Sequence, residues 1–172
     1  SRGLGDVYKR QDEENDSLPG PACHVIMSYL ILNEKREAKI MRQQKRRVTD
    51  KATICAMLDE MDTINLGMYD EPFPYVVPLN FGYEWNDELI FYFHCAHEGH
   101  KLDLLNRNPR VCVTASRFIS YAGASVKGHL HDYRSVIARG VAQRLEQDSD
   151  EFIHAHEKLL EHNLRDPSQV HT

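Results

Sequence analysis

Apolar side chains recur with two different periods along the chain after residue 48, and a period of three to four residues marks the helices. One such pattern fills residues 50–62, where the pair Thr49-Asp50 supplies the polar side chains of an N-cap. A shorter one covers residues 98–106. A third follows Ser149, and its predicted buried side consists of Phe152, Ile153, His156, Leu159 and Leu160. The pattern therefore predicts three helices.

A period of two residues marks the strands. Five are predicted, at residues 63–69, 73–83, 89–95, 110–116 and 134–145. In the second of them the odd-numbered residues share one face, whereas Pro78 and Gly82 lie on the other. Because proline cannot donate to a sheet ladder and glycine allows a close approach, that face is either an exposed sheet edge or a platform for a ligand. The second and third strands are predicted to form a hairpin, and residues 118–132 an irregular loop.

Helices occur in this pattern only at the two ends and at one crossover between strands. Since no regular alternation of strand and helix is present, the sequence predicts an α+β barrel rather than a doubly wound sheet. The residues after position 40 are enough for one domain with a real core. The net charge of −5, with basic residues concentrated at positions 42–47, provides no broad basic surface for nucleic acid. Cys55, Cys95 and Cys112 form no CxxC pair, which favours a reduced, cytoplasmic protein.

The first forty residues have a different character. Residues 6–11 read DVYKRQ, the translation of a transposon end used to fragment DNA for sequencing, and residues 34–37 can be encoded by purines just before Met41, as in a bacterial ribosome-binding site. We therefore expect residues 1–40 to be an adapter-derived or translated leader, disordered and outside the native domain at 41–172. The alternative is a genuine flexible N-terminal extension. No helix terminator precedes Thr172, which leaves open a truncation at the C-terminus.

The segment at residues 93–101 leads from a predicted strand directly into a predicted helix. Such a place offers unpaired backbone N–H groups and the positive end of the helix dipole, and both favour a phosphate. Lys101 adds a full positive charge there. The alternative is that Lys101 only solvates the helix surface.

Three histidines in the same segment, His94, His97 and His100, raise the question of a metal. Their spacing lacks the two histidines at i and i+4 of a zinc-protease helix, so no metal site is predicted. Cys95 and Cys112 lie in predicted strands, and nothing near them in the sequence forms a Cys/His/acid set, so we interpret both as small buried residues.

Four segments of the sequence, taken in order, resemble the nitroimidazole-reductase (Nim) branch of the pyridoxamine 5′-phosphate oxidase-like superfamily. They are residues 74–83, 92–101, 108–112 and 133–140. The resemblance covers residues 48–160. It implies an FMN-binding split β-barrel, that is, an antiparallel Greek-key barrel with flanking helices. It also implies a homodimer with two FMN sites at the subunit interface.

The resemblance implies roles for individual residues as well. The flavin ring would lie along Val77, Pro78, Leu79 and Asn80, and the phosphate near His100 and Lys101. Further cofactor contacts are implied for His94, Cys95, Ala96, Gly99, Tyr133 and Ser135. His94 would lie beside the flavin, where it could orient a substrate or donate a proton. Where the oxidase branch usually has Lys and Arg, this chain has Asn80 and His100, which argues against pyridoxamine-phosphate oxidase activity.

Three functions are compatible with these expectations. The leading one is an FMN-dependent oxidoreductase, with nitroaromatic compounds as possible substrates and no nucleic acid or membrane as partner. The second is a haem- or flavin-binding split barrel without turnover, with His129 and His131 as candidate haem ligands. The third is a structural or regulatory dimer with an empty cleft.

Overall fold

The computed structural model describes residues 25–30, 46–96, 98–125 and 128–164. Within them the chain forms the following elements in order: β1 Val25–Leu30, α1 Lys51–Asp59, β2 Thr63–Met68, β3 Tyr75–Asn80, β4 Gly82–Trp85, β5 Leu89–Cys95, α2 His100–Arg107, β6 Arg110–Ser125, β7 Gly128–Arg144 and α3 Asp150–Asn163. All strands pair antiparallel, in the order β3-β2-β6-β7-β1-β5-β4. The predicted α+β class is therefore confirmed. None of the described helices is long and apolar enough to cross a bilayer.

The two edge strands of the sheet, β3 and β4, are separated along the chain by a single residue, Phe81. Consecutive Cα atoms are about 3.8 Å apart, so the last residue of β3 and the first of β4 cannot be distant from each other. The sheet must therefore curl until its two edges meet at Phe81, as the sheet of a β-barrel does. This arrangement is consistent with the split barrel expected from the resemblance.

The core fills the inside of the curled sheet. Its largest fully buried side chains are Phe81, Phe91 and Phe93. Alternate residues of β2 and β6 complete it, together with Met57 and Leu58 from α1. The first turn of α1 is fixed as predicted, since the Asp50 side chain accepts a hydrogen bond of 2.8 Å from the Thr53 N–H.

The strand predicted at residues 73–83 is in fact two strands with different partners. β3 pairs with β2, whereas β4 pairs with β5 and forms the expected hairpin. Gly82 consequently does not share an exposed face with Pro78 but lies buried beneath α3, where an added Cβ would meet the Lys158 carbonyl oxygen at 2.5 Å. The pattern missed the break because Phe81, at the corner, is as apolar as its neighbours in the strand.

The loop predicted at residues 118–132 is also wrong. β6 and β7 continue through this segment as one long hairpin that pairs as far as Ser125 and Gly128. The register shifts between Phe118 and Ser120 and again between Tyr121 and Ala124. A bulge moves the following side chains to the opposite face, so the alternation that marks a strand is lost in the sequence although pairing continues.

The last helix, α3, begins as predicted, with Ser149 as N-cap; the Phe152 N–H donates to its Oγ at 3.1 Å. Its buried stripe, however, consists of Ala155, Leu159 and His162. Ile153 is 51% exposed and Leu160 is 45% exposed, so their predicted burial is wrong. The contacting side is set by the close approach of the α3 backbone to Gly82, which brings the 155/159/162 side onto the sheet.

Strand β1 is a further difference, because no element was predicted before α1. Its backbone pairs with β5 from Val25↔Cys95 to Leu30↔Ile90 and with β7 on its other side. Without it, β5 and β7 would each have an unpaired edge at this point, and the pairing satisfies those N–H and C=O groups. Residues 1–24 and 31–45 lie outside the described residues, and the leader origin of residues 1–40 stays a prediction.

Candidate functional site

One face of the sheet outside the core is continuous across β3, β2, β6 and β7. Pro78 pairs with Asn65, Asn65 with Thr114, and Thr114 with Ile137, so these four residues form a row on that face. Several large apolar side chains on it are exposed, and Ile137 has 69% of its surface open to solvent. We call this surface the outer face; its exposed apolar side chains include Val76, Phe118, Tyr133, Ile137 and Val141.

The four residues predicted to lie along a flavin ring divide into two pairs on β3. The side chains of Pro78 and Asn80 are exposed on the outer face. Val77 and Leu79 point inward and pack against the core. A ligand on the outer face could therefore touch Val77 and Leu79 only through their backbone.

Helix α2 begins at a glycine that gives it no side-chain cap. Gly99 has φ +129°, a conformation that side chains rarely adopt, and an added Cβ would meet no atom of the described residues within 4 Å. Its carbonyl accepts from the Leu102 and Asp103 N–H groups, and among the described residues no side chain accepts at the N-cap. As far as the described part of the chain goes, the first N–H groups of α2 are thus available to an outside acceptor, and the space in front of Gly99 is open.

Lys101 lies in the first turn of α2 and is only partly exposed. Its Nζ is 5.9 Å from the centroid of the Phe93 ring, within the range of a cation–π contact. Burial lowers the pKa of Lys101. The charge of Lys101 is therefore held against β5 and not in open water, and its role at a phosphate stays a prediction.

His100, the neighbouring residue, is engaged with other side chains. Its Nε2 lies 2.8 Å from Asp70 Oδ2, and its ring packs edge-on against Tyr75 at 5.1 Å between centroids. The hydrogen bond from His100 lowers the pKa of Asp70. Sequence reasoning missed Asp70, which belongs to a turn thirty residues earlier in the chain. A phosphate at His100 would have this carboxylate close by.

The end of β5 provides the predicted catalytic position. His94 is exposed and alternates with Tyr92 and Ile90 on one side of β5. Gly82, only two residues after Asn80, pairs with Tyr92, so Asn80 and His94 lie at the same end of the β4–β5 ladder.

The two residues after His94 differ in exposure. Cys95 is buried in the core, and burial raises the pKa of its thiol. Its side chain therefore does not face the site. Ala96 is exposed.

The remaining predicted contacts, Tyr133 and Ser135, are exposed on the outer face of β7. Three strand spacings separate β7 from β3, and at about 4.8 Å per spacing this amounts to about 14 Å across the sheet. The chain alone therefore does not bring them next to Pro78. His97 and the side chains of His129 and His131 lie outside what the structure describes.

Comparisons with known proteins identify the family and the fold. The profile of the family described as pyridoxamine 5′-phosphate oxidase matches residues 50–171. A candidate 5-nitroimidazole antibiotic resistance protein from Bacteroides thetaiotaomicron is 32% identical, with 69% of each chain covered and a TM-score of 0.56. A flavocytochrome from Azotobacter vinelandii is 24% identical over 69% of this chain and 52% of its own, with a TM-score of 0.51, and supports the fold alone. No protein of curated function matches significantly.

Proposed function

The chain belongs to the pyridoxamine 5′-phosphate oxidase family, in which the likeness to the Bacteroides protein fits the Nim-like branch, and from this premise we propose that it is an FMN-dependent oxidoreductase. The flavin, when bound, supplies the transfer of hydride or electrons. The protein supplies binding, orientation and a proton donor. Nitroaromatic compounds, among them nitroimidazoles, are the substrates that we propose.

The observation that carries the proposal is the N-terminus of α2. FMN ends in a phosphate monoester, a compact anion of high charge, and a helix N-terminus with a neighbouring cation is a common binding site for one. Gly99 leaves the first N–H groups uncapped and the space before them open, and Lys101 holds a partly buried charge in the same turn. These residues fit the phosphate group.

His94 is the residue of this chain that we propose to act on the substrate. It is exposed at the end of β5 where Asn80 and the start of α2 also lie. An imidazole there can hold a proton near neutral pH and donate it to a nitro group as that group is reduced. Because the oxidase-type charges are replaced by Asn80 and His100, we do not propose pyridoxamine phosphate as a substrate.

A homodimer is part of the proposal. The outer face exposes several large apolar side chains, including Ile137 and Val76, and exposed apolar surface of this kind often marks an interface. Tyr133 and Ser135 lie about 14 Å from Pro78 within one chain, across three strand spacings. A second copy seated on the outer face would bring the Tyr133 and Ser135 positions of one chain toward β3 of the other.

The test is a binding measurement with the full chain, stripped of any bound flavin. We expect the fluorescence of FMN to be quenched saturably when the protein binds it. Riboflavin, which lacks the phosphate, should bind at least about tenfold more weakly. Equal affinity for FMN and riboflavin would show that the phosphate group of FMN is not bound at the N-terminus of α2. A Soret band after addition of haemin, without flavin binding, would support the haem-binding alternative instead.

A further inference from the structure

A cavity lies between the first turns of α3 and the sheet, with lining residues on β4, β5 and β7; the backbone of β1 lies between β5 and β7 there. Its volume is about 480 Å³, within the range that holds small organic molecules. Ile90 of β5 and Leu145, just after β7, form an apolar wall, and Gln143 adds an amide. The cavity therefore combines apolar surface with a few polar groups, as ligand sites do.

A hydrogen-bonded chain of three side chains borders this cavity. Tyr92 Oη donates to Glu84 Oε1 at 2.5 Å, and His154 Nε2 lies 3.0 Å from Glu84 Oε2. Tyr92 is only 5% exposed, and the side chain of Glu84 is 18% exposed. Asn86 Nδ2 also donates to Glu84 Oε2, at 3.5 Å, so that oxygen already accepts two hydrogen bonds. Glu84 Oε1 accepts from Tyr92 and, as a carboxylate oxygen, can accept a second hydrogen bond from a ligand.

The protonation of this chain is fixed by its partners. Burial tends to raise the pKa of Glu84, but the hydrogen bonds from Tyr92 and His154 outweigh it and lower that pKa. Burial and the contact with Glu84 raise the pKa of Tyr92. At neutral pH the group thus presents an ionised carboxylate beside a neutral phenol.

The charge of the lining selects the kind of ligand. Of the described residues that line the cavity, Glu84, Asp150 and Glu151 carry carboxylates, and none is a lysine or an arginine. Within this lining, His154 can oppose them as an imidazolium. Lys158, on the next turn of α3 and outside the lining, also acts on Glu84 through its charge, but its Nζ lies 2.8 Å from Glu161 Oε2 and is shared with that carboxylate.

The cavity is distinct from the candidate flavin site. His94 and Ile90 lie on the same side of β5, but four residues apart, which corresponds to about 13 Å along the strand. The intervening Tyr92 is packed beneath Ala155 and Leu159 of α3. The helix therefore separates the two places.

We propose that this cavity is a second ligand site, for a small organic cation that joins a protonated amine to an apolar ring. The amine would lie at Glu84 with Asp150 and Glu151 nearby, and the ring against Ile90 and Leu145.

The test uses benzylamine as the probe. Its binding to the full chain is measured by calorimetry and by NMR chemical shifts. Benzyl alcohol and benzoate have the same ring with a neutral or a negative group. We expect saturable binding of benzylamine, with the two controls at least about tenfold weaker. Equal binding of benzoate, or no saturable binding of benzylamine, would overturn the proposal.

Two variants locate the binding. Glu84→Gln keeps the shape of the side chain, and we expect benzylamine to bind at least about tenfold more weakly. Glu151→Gln should weaken it severalfold, whereas the matched change Glu157→Gln, on the exposed side of α3, should leave it unchanged. The proposal fails if Glu157→Gln weakens benzylamine binding as much as Glu151→Gln does. This comparison tests the proposal even if Glu84→Gln does not fold. Competition between FMN and benzylamine would show that the two ligands share one site, and this too would overturn the proposal.

Discussion

Lys101 owes its expected importance to its partial burial, because a charge held against Phe93 is screened less than a solvated one. We predict that Lys101→Ala weakens FMN binding by about 1.5 to 3 kcal/mol, or roughly ten- to a hundredfold, as expected for a charge-assisted contact. Fluorescence titration of the flavin-free protein measures the change. Arg107→Ala, at the opposite end of α2, is the control and should bind like the parent. Parental affinity in Lys101→Ala would place the phosphate elsewhere.

Asp70 is expected to oppose the phosphate. Its carboxylate, 2.8 Å from His100, is ionised at neutral pH because the hydrogen bond lowers its pKa. We therefore predict that Asp70→Asn binds FMN more tightly than the parent at pH 7. Glu71→Gln, next to it in the turn, serves as the matched control. A weaker affinity in Asp70→Asn would mean that Asp70 positions His100 for the phosphate.

The same pair gives a pH dependence of folding. A carboxyl group whose pKa is lowered in the folded state stabilises that state above its unfolded pKa, about 3.9, and this contribution disappears as the pH falls through the lowered folded value. The melting temperature of the parent should thus fall more than that of Asp70→Asn when the pH is lowered from 5 to 3. Parallel curves would contradict this.

We expect His94 to act in the reduction of the substrate and not in the binding of FMN. We predict that His94→Ala retains FMN but reduces a nitroaromatic substrate more slowly, with the loss in kcat and with flavin affinity unchanged. The measurement is steady-state reduction of a nitroimidazole at several pH values, with the flavin content checked in parallel. Unchanged turnover would assign His94 a packing or surface role.

At this scale, the sequence predicts what is local. Gly99 and Lys101 follow a strand end directly, so their placement at a helix N-terminus was visible in the sequence. The inward direction of Val77 and Leu79 also follows from alternation. Asp70 was not predictable, because its contact with His100 depends on how the turn after β2 lies against α2, and no local pattern encodes that distance.

Among the elements, the docking of α3 depends on one missing side chain. A Cβ at Gly82 would lie 2.5 Å from the Lys158 carbonyl oxygen, which is backbone and cannot rotate away. We predict that Gly82→Ala destabilises the protein by about 1 to 3 kcal/mol, the usual cost of overpacking. Chemical denaturation measures it. Gly67→Ala is the control, because its Cβ would meet its nearest atom at 3.4 Å. Equal stability of the two variants would show that α3 shifts freely.

The element boundaries show where patterns fail. The helix α1, the strand β2 and the strand β5 were predicted nearly as observed, since α1 has a helical period after a clear N-cap and β5 is a continuous β-prone aromatic run that follows the turn at residues 86–87. Two features were not predicted: the break at Phe81 and the bulges of the β6–β7 hairpin. A corner and a register shift change the pairing of strands without changing their amino-acid composition. The buried side of α3 was misassigned because apolar content points to Ile153, whereas the contact with Gly82 fixes the rotation of the helix.

For the whole molecule, the outer face makes the dimer testable. We predict that Ile137→Lys yields a monomer with weakened FMN binding, because a charge would replace the most exposed apolar side chain of the face that the proposed second copy covers. Light scattering and FMN titration on the same sample measure both effects. Ile153→Lys, on the exposed side of α3, should remain dimeric. A parent protein that is monomeric with FMN bound would contradict the dimer outright.

The α+β class followed from the absence of strand-helix alternation, a property of the whole chain. The position of β1 could not be predicted from the sequence. Its partners β5 and β7 are distant in sequence, and any β-prone segment could in principle pair with them.

The junction at Phe81 also bears on how this sheet behaves in a crowded solution. An open sheet ends in two strands with unpaired backbone groups, and these can recruit strands of other chains and start aggregation. Here the two terminal strands are consecutive, so each edge turns toward the other where they meet at Phe81. Along β3, Pro78 removes one donor from the strand as well. Strand addition is thus hindered at both edges near Phe81, and if two copies associate as we propose, they would meet through the outer face and not through a sheet edge.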